Sequence, residues 1–471
     1  MRKFILPFIL VLGLILRLIV INQSLWLDEA IGALVVKNQN YQQILKEFPL
    51  HDNHPPLYYL ALKFWTDIFG YSEIALRTLS VIFGVGMVFL IYKIGKSISF
   101  KLGVLAALLL ATSPFAIYYS QEARMYSMAA FLAAAAFYFF LKEKWFSFSF
   151  FITVLVFTDY MPVFLIPALW LIGFLGKKNK TWWKSFLFSQ LPLVILGVAW
   201  LPIFLQQTEG GRWLLETLPA WKKVAGGATL KQAVLVWTKF VLGRISFGDK
   251  VFYYSLLTSF SIPFLAALWH AWKERGKIAS FWIYLAIPLF LGFLVSFYFP
   301  AFIYFRYLFV VPAFYLLVSW GLLSFKNAKI RNVVIAGILL ANLTGWLIYI
   351  TEPYQQREQW RQAVAFVESN VREDEIVIFN FTQLFAPYEW YATGKVVAKG
   401  VADSISVNAG PTREITRKTI KDFAGLYYVE YLWELHDPDR IVEKTIKEEN
   451  FIRASAFDFP GVGIISYWRK I

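Results

Sequence analysis

Residues 23–80 carry two polar strings, Leu27-Asp28-Glu29-Ala30 and His51-Asp52-Asn53-His54-Pro55-Pro56-Leu57. They follow directly after an apolar N-terminal run, in a chain otherwise dominated by Phe, Leu, Ile and Trp. Adjacent carboxylates at the mouth of a membrane helix are costly to desolvate, so they are more often functional than incidental. We therefore expect the remaining hydrophobic segments to form a scaffold that holds this loop against a membrane-embedded cavity.

The composition indicates a polytopic membrane protein. Of 471 residues, 58% are hydrophobic and only 16% are charged, whereas a soluble domain has about 25% charged residues. The formal net charge is +15, but the basic residues fall in short runs between apolar segments, which is typical of topology signals. We expect no nucleic-acid partner. The chain has no cysteine, which excludes a disulfide framework and a thiolate metal site.

Apolar runs long enough to cross a bilayer recur along the first 350 residues. The first, residues 4–21, follows Arg2 and Lys3 and resembles a signal sequence. It lacks a small-x-small cleavage site before Asn22, so we interpret it as a retained span. Two segments of the following loop, 30–48 and 57–69, have the pattern of amphipathic interfacial helices. Including the first, we predict about eleven spans; the others are 74–92, 102–118, 126–141, 145–157, 161–174, 185–205, 251–270, 278–297, 304–324 and 333–350.

The distribution of basic residues predicts the orientation of these spans, because cytoplasmic loops carry the excess of Lys and Arg. With Arg2 and Lys3 inside, every basic cluster falls on the cytoplasmic side; the clusters are Lys93/Lys96/Lys101, Lys142/Lys144, Lys177/Lys178/Lys180/Lys184, Lys273/Arg275/Lys277 and Lys326/Lys329/Arg331. The outer face then receives the loop with Asp28 and His54, residues 120–124, the loop 206–250 and everything after Thr351. We predict a multi-pass plasma-membrane protein.

From Glu352 the composition becomes that of a soluble protein, and about 120 residues suffice for one small α/β domain. We therefore predict a membrane domain at 1–350 and an extracytoplasmic α/β domain at 351–471. Strands are predicted at 375–380, 395–401, 425–431 and 463–468, and helices at 359–371, 412–423 and 439–449. No Gly-rich phosphate loop is present in the sequence, so a nucleotide site is not indicated.

Asp28 and Glu29 have two interpretations. A carboxylate at a membrane–water boundary can deprotonate a hydroxyl or hold a divalent cation against a phosphate. Alternatively, Asp28 caps a helix that begins near Ala30. The second string has two interpretations as well. Its prolines stiffen a turn that presents His51, Asp52 and His54 to a phosphate or metal, or it is a polar turn in which Asp52 or Asn53 caps the next helix. Without further context the polar turn is favoured.

Further ionisable residues lie at predicted outer helix ends: Arg77, Glu122, Arg124 and Arg306. An arginine there can clamp a phosphate by bidentate hydrogen bonding, or it can snorkel to the lipid headgroups, which is the commoner behaviour. Asp159 lies between two short spans, where an acid can simply supply turn chemistry before Pro162.

In their order along the chain, these strings resemble the protein O-mannosyltransferases and their bacterial relatives, glycosyltransferase family 39 of the GT-C superfamily. The resemblance rests on Asp28-Glu29, His54-Pro55-Pro56-Leu57, Arg77 ahead of Gly84, and Tyr119-Ser120-Gln121-Glu122-Ala123-Arg124-Met125-Tyr126. It covers about the first 180 residues. The β-trefoil MIR domain of the eukaryotic enzymes is absent from the sequence, so their specificity for protein acceptors is not carried over.

The resemblance implies an inverting transferase that uses a polyprenyl-phosphate-linked sugar on the outer face of the membrane, among membrane lipids. Asp28 would be the general base and Glu29 would orient it or the acceptor. His54, Arg77, Glu122, Arg124 and Arg306 would bind the donor phosphate, and a divalent cation (Mg²⁺ or Mn²⁺, held by Asp28 or Glu122) is left open. So is the acceptor, which is a glycan, a lipid or a protein.

A flippase or transporter of lipid-linked glycans is the alternative. It predicts ionisable residues in mid-span and broken helices in related halves of the chain. Here the ionisable residues gather at outer helix ends, and no internal duplication is apparent. The sequence therefore favours the transferase.

Overall fold

The computed structural model describes residues 2–471, so Met1, the first residue of the predicted membrane domain, lies outside the described residues. The protein is mainly helical with a small C-terminal sheet, which confirms the predicted fold class. The chain forms two compact units. The helical unit consists of the residues up to Ile21, Gln39–Thr208 and Ala225–Gln355; the C-terminal unit consists of Asn22–Asn38, Glu209–Val224 and Gln356–Ile471. Two segments that the sequence assigns to the membrane domain thus group with the C-terminal residues.

Helices account for almost all of the chain before the sheet. In order, the α-helices are Arg2–Leu18, Leu27–Asn38, Tyr41–Lys46, Leu57–Phe69, Glu73–Lys96, Phe100–Ala111, Pro114–Ser120, Tyr126–Leu141, Trp145–Val156, Leu165–Leu175, Lys180–Phe188, Leu191–Thr217, Lys222–Ala225, Leu230–Leu242, Lys250–Lys273, Ala279–Val295, Val311–Leu323 and Ala328–Thr351. Short 3₁₀ helices occupy Phe48–Leu50, Met161–Phe164, Pro219–Trp221, Arg275–Lys277, Tyr304–Val310 and Pro353–Gln355.

The apolar helices make this a membrane-embedded protein. Within residues 2–471, five helical stretches are long and apolar enough to cross a bilayer: Glu73–Lys96, Lys180–Thr217, Lys250–Lys273, Tyr304–Leu323 and Ala328–Thr351. Four apolar helices are shorter: Tyr126–Leu141, Trp145–Val156, Met161–Leu175 and Ala279–Val295. These nine helical segments coincide with nine of the predicted spans. Trp145–Val156 and Met161–Leu175 correspond to the predicted spans 145–157 and 161–174.

The predicted span 102–118 is not continuous. Its two helices, Phe100–Ala111 and Pro114–Ser120, are bent by 62° relative to each other. Ser113 accepts a hydrogen bond from the backbone N–H of Ala116 and caps the second helix. Pro114 follows at its first position, where a missing N–H costs nothing. A continuous apolar run concealed this break, because hydropathy does not register caps.

Two further segments differ from the prediction in their helices. The predicted helix 30–48 is divided at Asn40, whose side chain and that of Gln43 form a capping box that starts Tyr41–Lys46. The loop predicted at 206–250 contains the end of one long helix and all of Leu230–Leu242. The predicted helix 57–69 is confirmed as Leu57–Phe69.

The C-terminal unit contains a five-stranded sheet within the described residues, in the order β2-β1-β3-β5-β4. Its strands are β1 (Glu375–Phe379), β2 (Ala398–Gly400), β3 (Gly425–Val429), β4 (Phe451–Phe459) and β5 (Gly463–Lys470). β1 is parallel to β2 and β3, and β5 is antiparallel to β3 and β4. The four predicted strands are confirmed. The sequence analysis missed β4, an edge strand with mostly exposed side chains that has no apolar pattern.

Alternating side chains of this sheet form two apolar cores, as the two-residue period of a strand requires. Val377 and Phe379 of β1 pack on one face with Trp360, while Ile376 and Ile378 pack on the other with Trp468. After Gln356, the α-helices of the unit are Trp360–Asn370, Ala386–Tyr391, Ala409–Ile420, Trp433–His436 and Ile441–Glu448. Trp360–Asn370, Ala409–Ile420 and Ile441–Glu448 correspond to the three predicted helices.

Candidate functional site

Asp28 and Glu29 lie in the first turn of the helix Leu27–Asn38. The interpretation of Asp28 as the cap of a helix beginning near Ala30 is therefore wrong, because the N–H of Ala30 already donates to the carbonyl of Trp26 at 2.9 Å. Acidic groups in a first turn still benefit from the helix dipole. Asp28 is partly exposed, whereas Glu29 is fully buried. Of the two carboxylates, Asp28 is the one that a substrate can reach.

The helix that carries Asp28 belongs to the C-terminal unit. Leu27 packs against the apolar core that contains Trp360 and Tyr431. Burial and the nearby carboxylates of Glu358 and Asp28 raise the pKa of the Tyr431 hydroxyl, which stays protonated. Asp28 thus lies within electrostatic reach of Tyr431, more than 400 residues away along the chain.

His54 is held by Asp52. One carboxylate oxygen of Asp52 accepts from the backbone N–H of His54 at 2.7 Å and contacts Nδ1 of its ring at 2.6 Å. Burial alone raises the pKa of Asp52, but His54 and Arg124 outweigh burial and the pKa is lowered. Asp52 and Asn53 do not cap the next helix, whose N-cap is Pro56 without a side-chain hydrogen bond. The polar-turn interpretation is wrong in this respect.

A second contact fixes the backbone of the same turn. The side-chain amide of Gln207 donates to the carbonyls of Pro49 at 2.9 Å and His54 at 3.0 Å. Its oxygen accepts from the hydroxyl of Tyr160 at 2.6 Å, and that hydroxyl accepts from the indole N–H of Trp200 at 2.7 Å. The sequence analysis missed Gln207 and Tyr160. Nothing in their local sequence marks them, because their role depends on a contact with a distant turn.

Arg124 meets His54 in the folded protein. Its guanidinium lies 3.4 Å from Nε2 of His54 and 3.5 Å from the hydroxyl of Tyr59. Arg124 is only 4% exposed and Arg77 only 1%. Burial by protein argues against the snorkelling interpretation for both residues, since a snorkelling side chain has its charged end at the surface.

Asp159 is an acid of this same neighbourhood. Its side chain is buried, which raises the pKa of its carboxyl, while electrostatic interactions with His54, Arg306 and Arg124 act in the opposite direction. One of its oxygens accepts from the N–H of Met161 at 3.1 Å. The turn chemistry predicted for Asp159 is therefore present, together with electrostatic coupling that the sequence does not reveal.

Three further predicted site residues of the helical unit are Arg77, Arg306 and Glu122. Arg77 donates to the carbonyl of Ile21, three residues after the end of the first helix, at 2.8 Å. Arg306 donates to the carbonyl of Ala301 at 3.3 Å. Glu122 is buried in the turn before Tyr126–Leu141. That all three bind a phosphate stays a prediction.

The residues present do not form a metal site of the usual kind. Among residues 2–471, no group of three or more His, Asp or Glu side chains could hold an ion. That Asp28 or Glu122 holds a divalent cation stays a prediction. We assign no step to a divalent cation.

The comparisons with known proteins concern the fold and part of the sequence. Residues 53–205 match the family model described as dolichyl-phosphate-mannose-protein mannosyltransferase. The structure of ArnT from Cupriavidus metallidurans in the apo state is similar with a TM-score of 0.56 at 10% identity, over 99% of this chain and 97% of that one. The Archaeoglobus fulgidus oligosaccharyltransferase, in a complex with Zn and sulfate, is similar with a TM-score of 0.53 at 13% identity, over 98% and 72%.

The chain is a glycosyltransferase of the GT-C type. The structural likenesses show the fold, and the family match adds the class of reaction. A search of curated protein sequences finds no significant match. In this GT-C glycosyltransferase, the matched region includes His54, Arg77, Glu122, Arg124 and Asp159.

Replacing Gln207 by Ala should loosen the turn that carries His54. The carbonyls of Pro49 and His54 would lose their donor, at a cost of about 1–3 kcal/mol for buried groups. We expect amide hydrogen exchange at residues 50–54 to accelerate on the order of tenfold, with a lower rate of sugar transfer. Thr208→Ala is the control, since the Thr208 hydroxyl contacts only the carbonyl of Leu205 in its own helix. Equal exchange in both variants would contradict the role of Gln207.

Proposed function

We propose that this glycosyltransferase moves a sugar from a polyprenyl-phosphate-linked donor to an acceptor hydroxyl, with inversion, on the outer face of the plasma membrane. The observation that carries the proposal is the contact between the buried Arg124 and the partly exposed His54. The structure of Cupriavidus metallidurans ArnT bound to undecaprenyl phosphate is also similar, with a TM-score of 0.54 at 9% identity over 99% of this chain and 97% of that one. A lipid phosphate is thus a ligand of one protein with this fold.

The pair suits a leaving phosphate. A sugar on a lipid monophosphate departs as a dianionic phosphate, whose charge grows while the C1–O bond breaks. Cationic donors held in a dehydrated cavity stabilise that charge most where it develops. Arg124 offers a planar fork of N–H donors, and Asp52 at Nδ1 of His54 directs Nε2 toward Arg124.

Asp28 supplies the base in this proposal. The acceptor hydroxyl must lose a proton as it attacks C1, and a carboxylate within about 3 Å of it is sufficient. A direct attack on C1, opposite the leaving phosphate, inverts the anomeric centre without a covalent sugar–enzyme intermediate. Glu29 is fully buried, which suits a residue that orients its surroundings and does not itself meet the acceptor.

Asp28→Asn should insert and fold normally but lose sugar transfer by about a hundredfold or more, because the amide cannot take up a proton. The measurement is transfer by purified protein in detergent, from a panel of radiolabelled polyprenyl-phosphate sugars. Glu47→Gln removes an exposed acid of the same loop and should retain the wild-type rate. If Asp28→Asn is as active as Glu47→Gln, Asp28 is not the base.

Arg124→Gln should weaken binding of the lipid phosphate. Polyprenyl phosphate, the released product, should inhibit the wild-type enzyme, and we expect its inhibition constant to rise about tenfold or more in the variant, since a charge-assisted hydrogen bond contributes about 1.5–3 kcal/mol. Arg275→Gln, at an exposed arginine between helices, is the matched control. An unchanged inhibition constant for Arg124→Gln would remove Arg124 from the phosphate site.

The absence of cysteine from the sequence permits a direct test of the orientation. Single cysteines at Ser97 and Glu414, both exposed, should label differently with a membrane-impermeant maleimide in right-side-out vesicles. We expect Glu414→Cys to react at once and Ser97→Cys only after the membrane is permeabilised, because Ser97 lies among the basic residues predicted inside. The opposite pattern would refute the outer location of the C-terminal unit.

A further inference from the structure

Three consecutive residues before the Asp28 helix bind residues near the C-terminal sheet. The side-chain oxygen of Gln23 accepts from the N–H of Arg357 at 2.8 Å. The hydroxyl of Ser24 donates to the carbonyl of Glu358. The N–H of Leu25 donates to the hydroxyl of Tyr391 at 2.8 Å. All of these residues belong to the C-terminal unit.

Of these three hydrogen bonds, the one between Leu25 and Tyr391 lies nearest to Asp28 along the chain. Leu25 is fully buried, so its amide has no access to water, and an unmade bond there would cost about 1–3 kcal/mol. Asp28 follows three residues later, in the first turn of a helix. Because so short a segment has little freedom, the position of Leu25 limits where the Asp28 carboxylate can lie.

The helix of Asp28 is held along its length as well. Leu27 packs on the core at its first turn, and Ala33 and Val36 are fully buried. At its last turn, the ammonium group of Lys37 lies 5.1 Å from the centre of the Trp390 ring. Trp390 and Tyr391 are adjacent, so one short helix, Ala386–Tyr391, contacts both the beginning and the end of the Asp28 helix.

The anchoring surface is itself rigid. The carboxylate of Glu358 accepts from the hydroxyl of Tyr431 at 3.1 Å and from the indole N–H of Trp360 at 2.7 Å. The rings of Trp360 and Tyr431 contact each other edge to face, with centroids 4.9 Å apart. Glu358, which holds Ser24 through its backbone, is thus fixed by two aromatic side chains.

We propose that the C-terminal unit acts in the chemical step by holding Asp28 in place, with Tyr391 as the positioning residue. The inference rests on the proposed role of Asp28 as the base. It assigns to this unit a task other than recognition of the acceptor. Proton transfer needs the carboxylate within hydrogen-bond reach of the acceptor hydroxyl, and a displacement of about 1 Å can cost up to a hundredfold in rate.

Tyr391→Phe tests the proposal by removing one oxygen atom. We expect kcat for sugar transfer to fall about 10- to 100-fold with little change in KM for the lipid-linked donor, and hydrogen exchange at residues 24–28 to accelerate. Tyr388→Phe is the matched control. It removes a hydroxyl from the same helix, and that hydroxyl has no hydrogen-bond partner among the described residues, so kcat should stay at the wild-type value.

A double variant separates positioning from a general loss of structure. If Tyr391 acts through Asp28, Tyr391→Phe should have almost no effect on the residual activity of Asp28→Asn, because effects of residues that act as a unit are not additive. An equal fold-loss in both backgrounds would overturn the proposal, as would a wild-type kcat in Tyr391→Phe. If Asp28→Asn itself retains full activity, the proposed function of Asp28 fails first, and the positioning role fails with it.

Discussion

The cost of removing charge from water is the constraint on which the rest of this structure depends. In a chain that is 58% hydrophobic, a buried ionic group must be paired and hydrogen-bonded, or its burial would outweigh the gain from folding. The buried Arg124 and Asp159 meet this condition together with the partly exposed His54 and Asp52, since each acts on the electrostatics or hydrogen bonding of another. Such a group is expensive to maintain without a ligand to bind, which is why it is the best candidate for a functional site.

The same constraint explains why so much of the supporting structure consists of side-chain hydrogen bonds. The turn with His54 is rigid because Gln207 binds its carbonyls and Asp52 binds its histidine, and not because of apolar packing alone. Ser113 likewise ends an apolar run by capping the next helix. In both places a few side-chain hydrogen bonds decide the path of the backbone, while the hydrophobic scaffold supplies only the surroundings.

The C-terminal unit follows a different rule, that of a soluble α/β fold with a core on each face of its sheet. This unit also includes the segment Asn22–Asn38, which comes from the N-terminal part of the chain. Anchoring the helix that carries Asp28 on a sheet-backed core reduces the motion that a surface loop would have. This anchoring is the physical basis of the proposed role of the C-terminal unit in catalysis.

The sequence by itself determined the membrane class, the position of nearly every apolar helix and four of the five strands, because hydropathy and periodicity are local properties. It also identified Asp28, His54, Arg124 and Asp159 as residues that need an explanation. It could not show that Asp52 and Arg124 both contact His54, that Gln207 binds a turn more than 150 residues before it, or that Tyr391 holds Leu25. Those contacts were decided only by the tertiary structure, because a hydrogen bond between distant segments depends on where the folded chain brings them and leaves no periodic signal along the sequence.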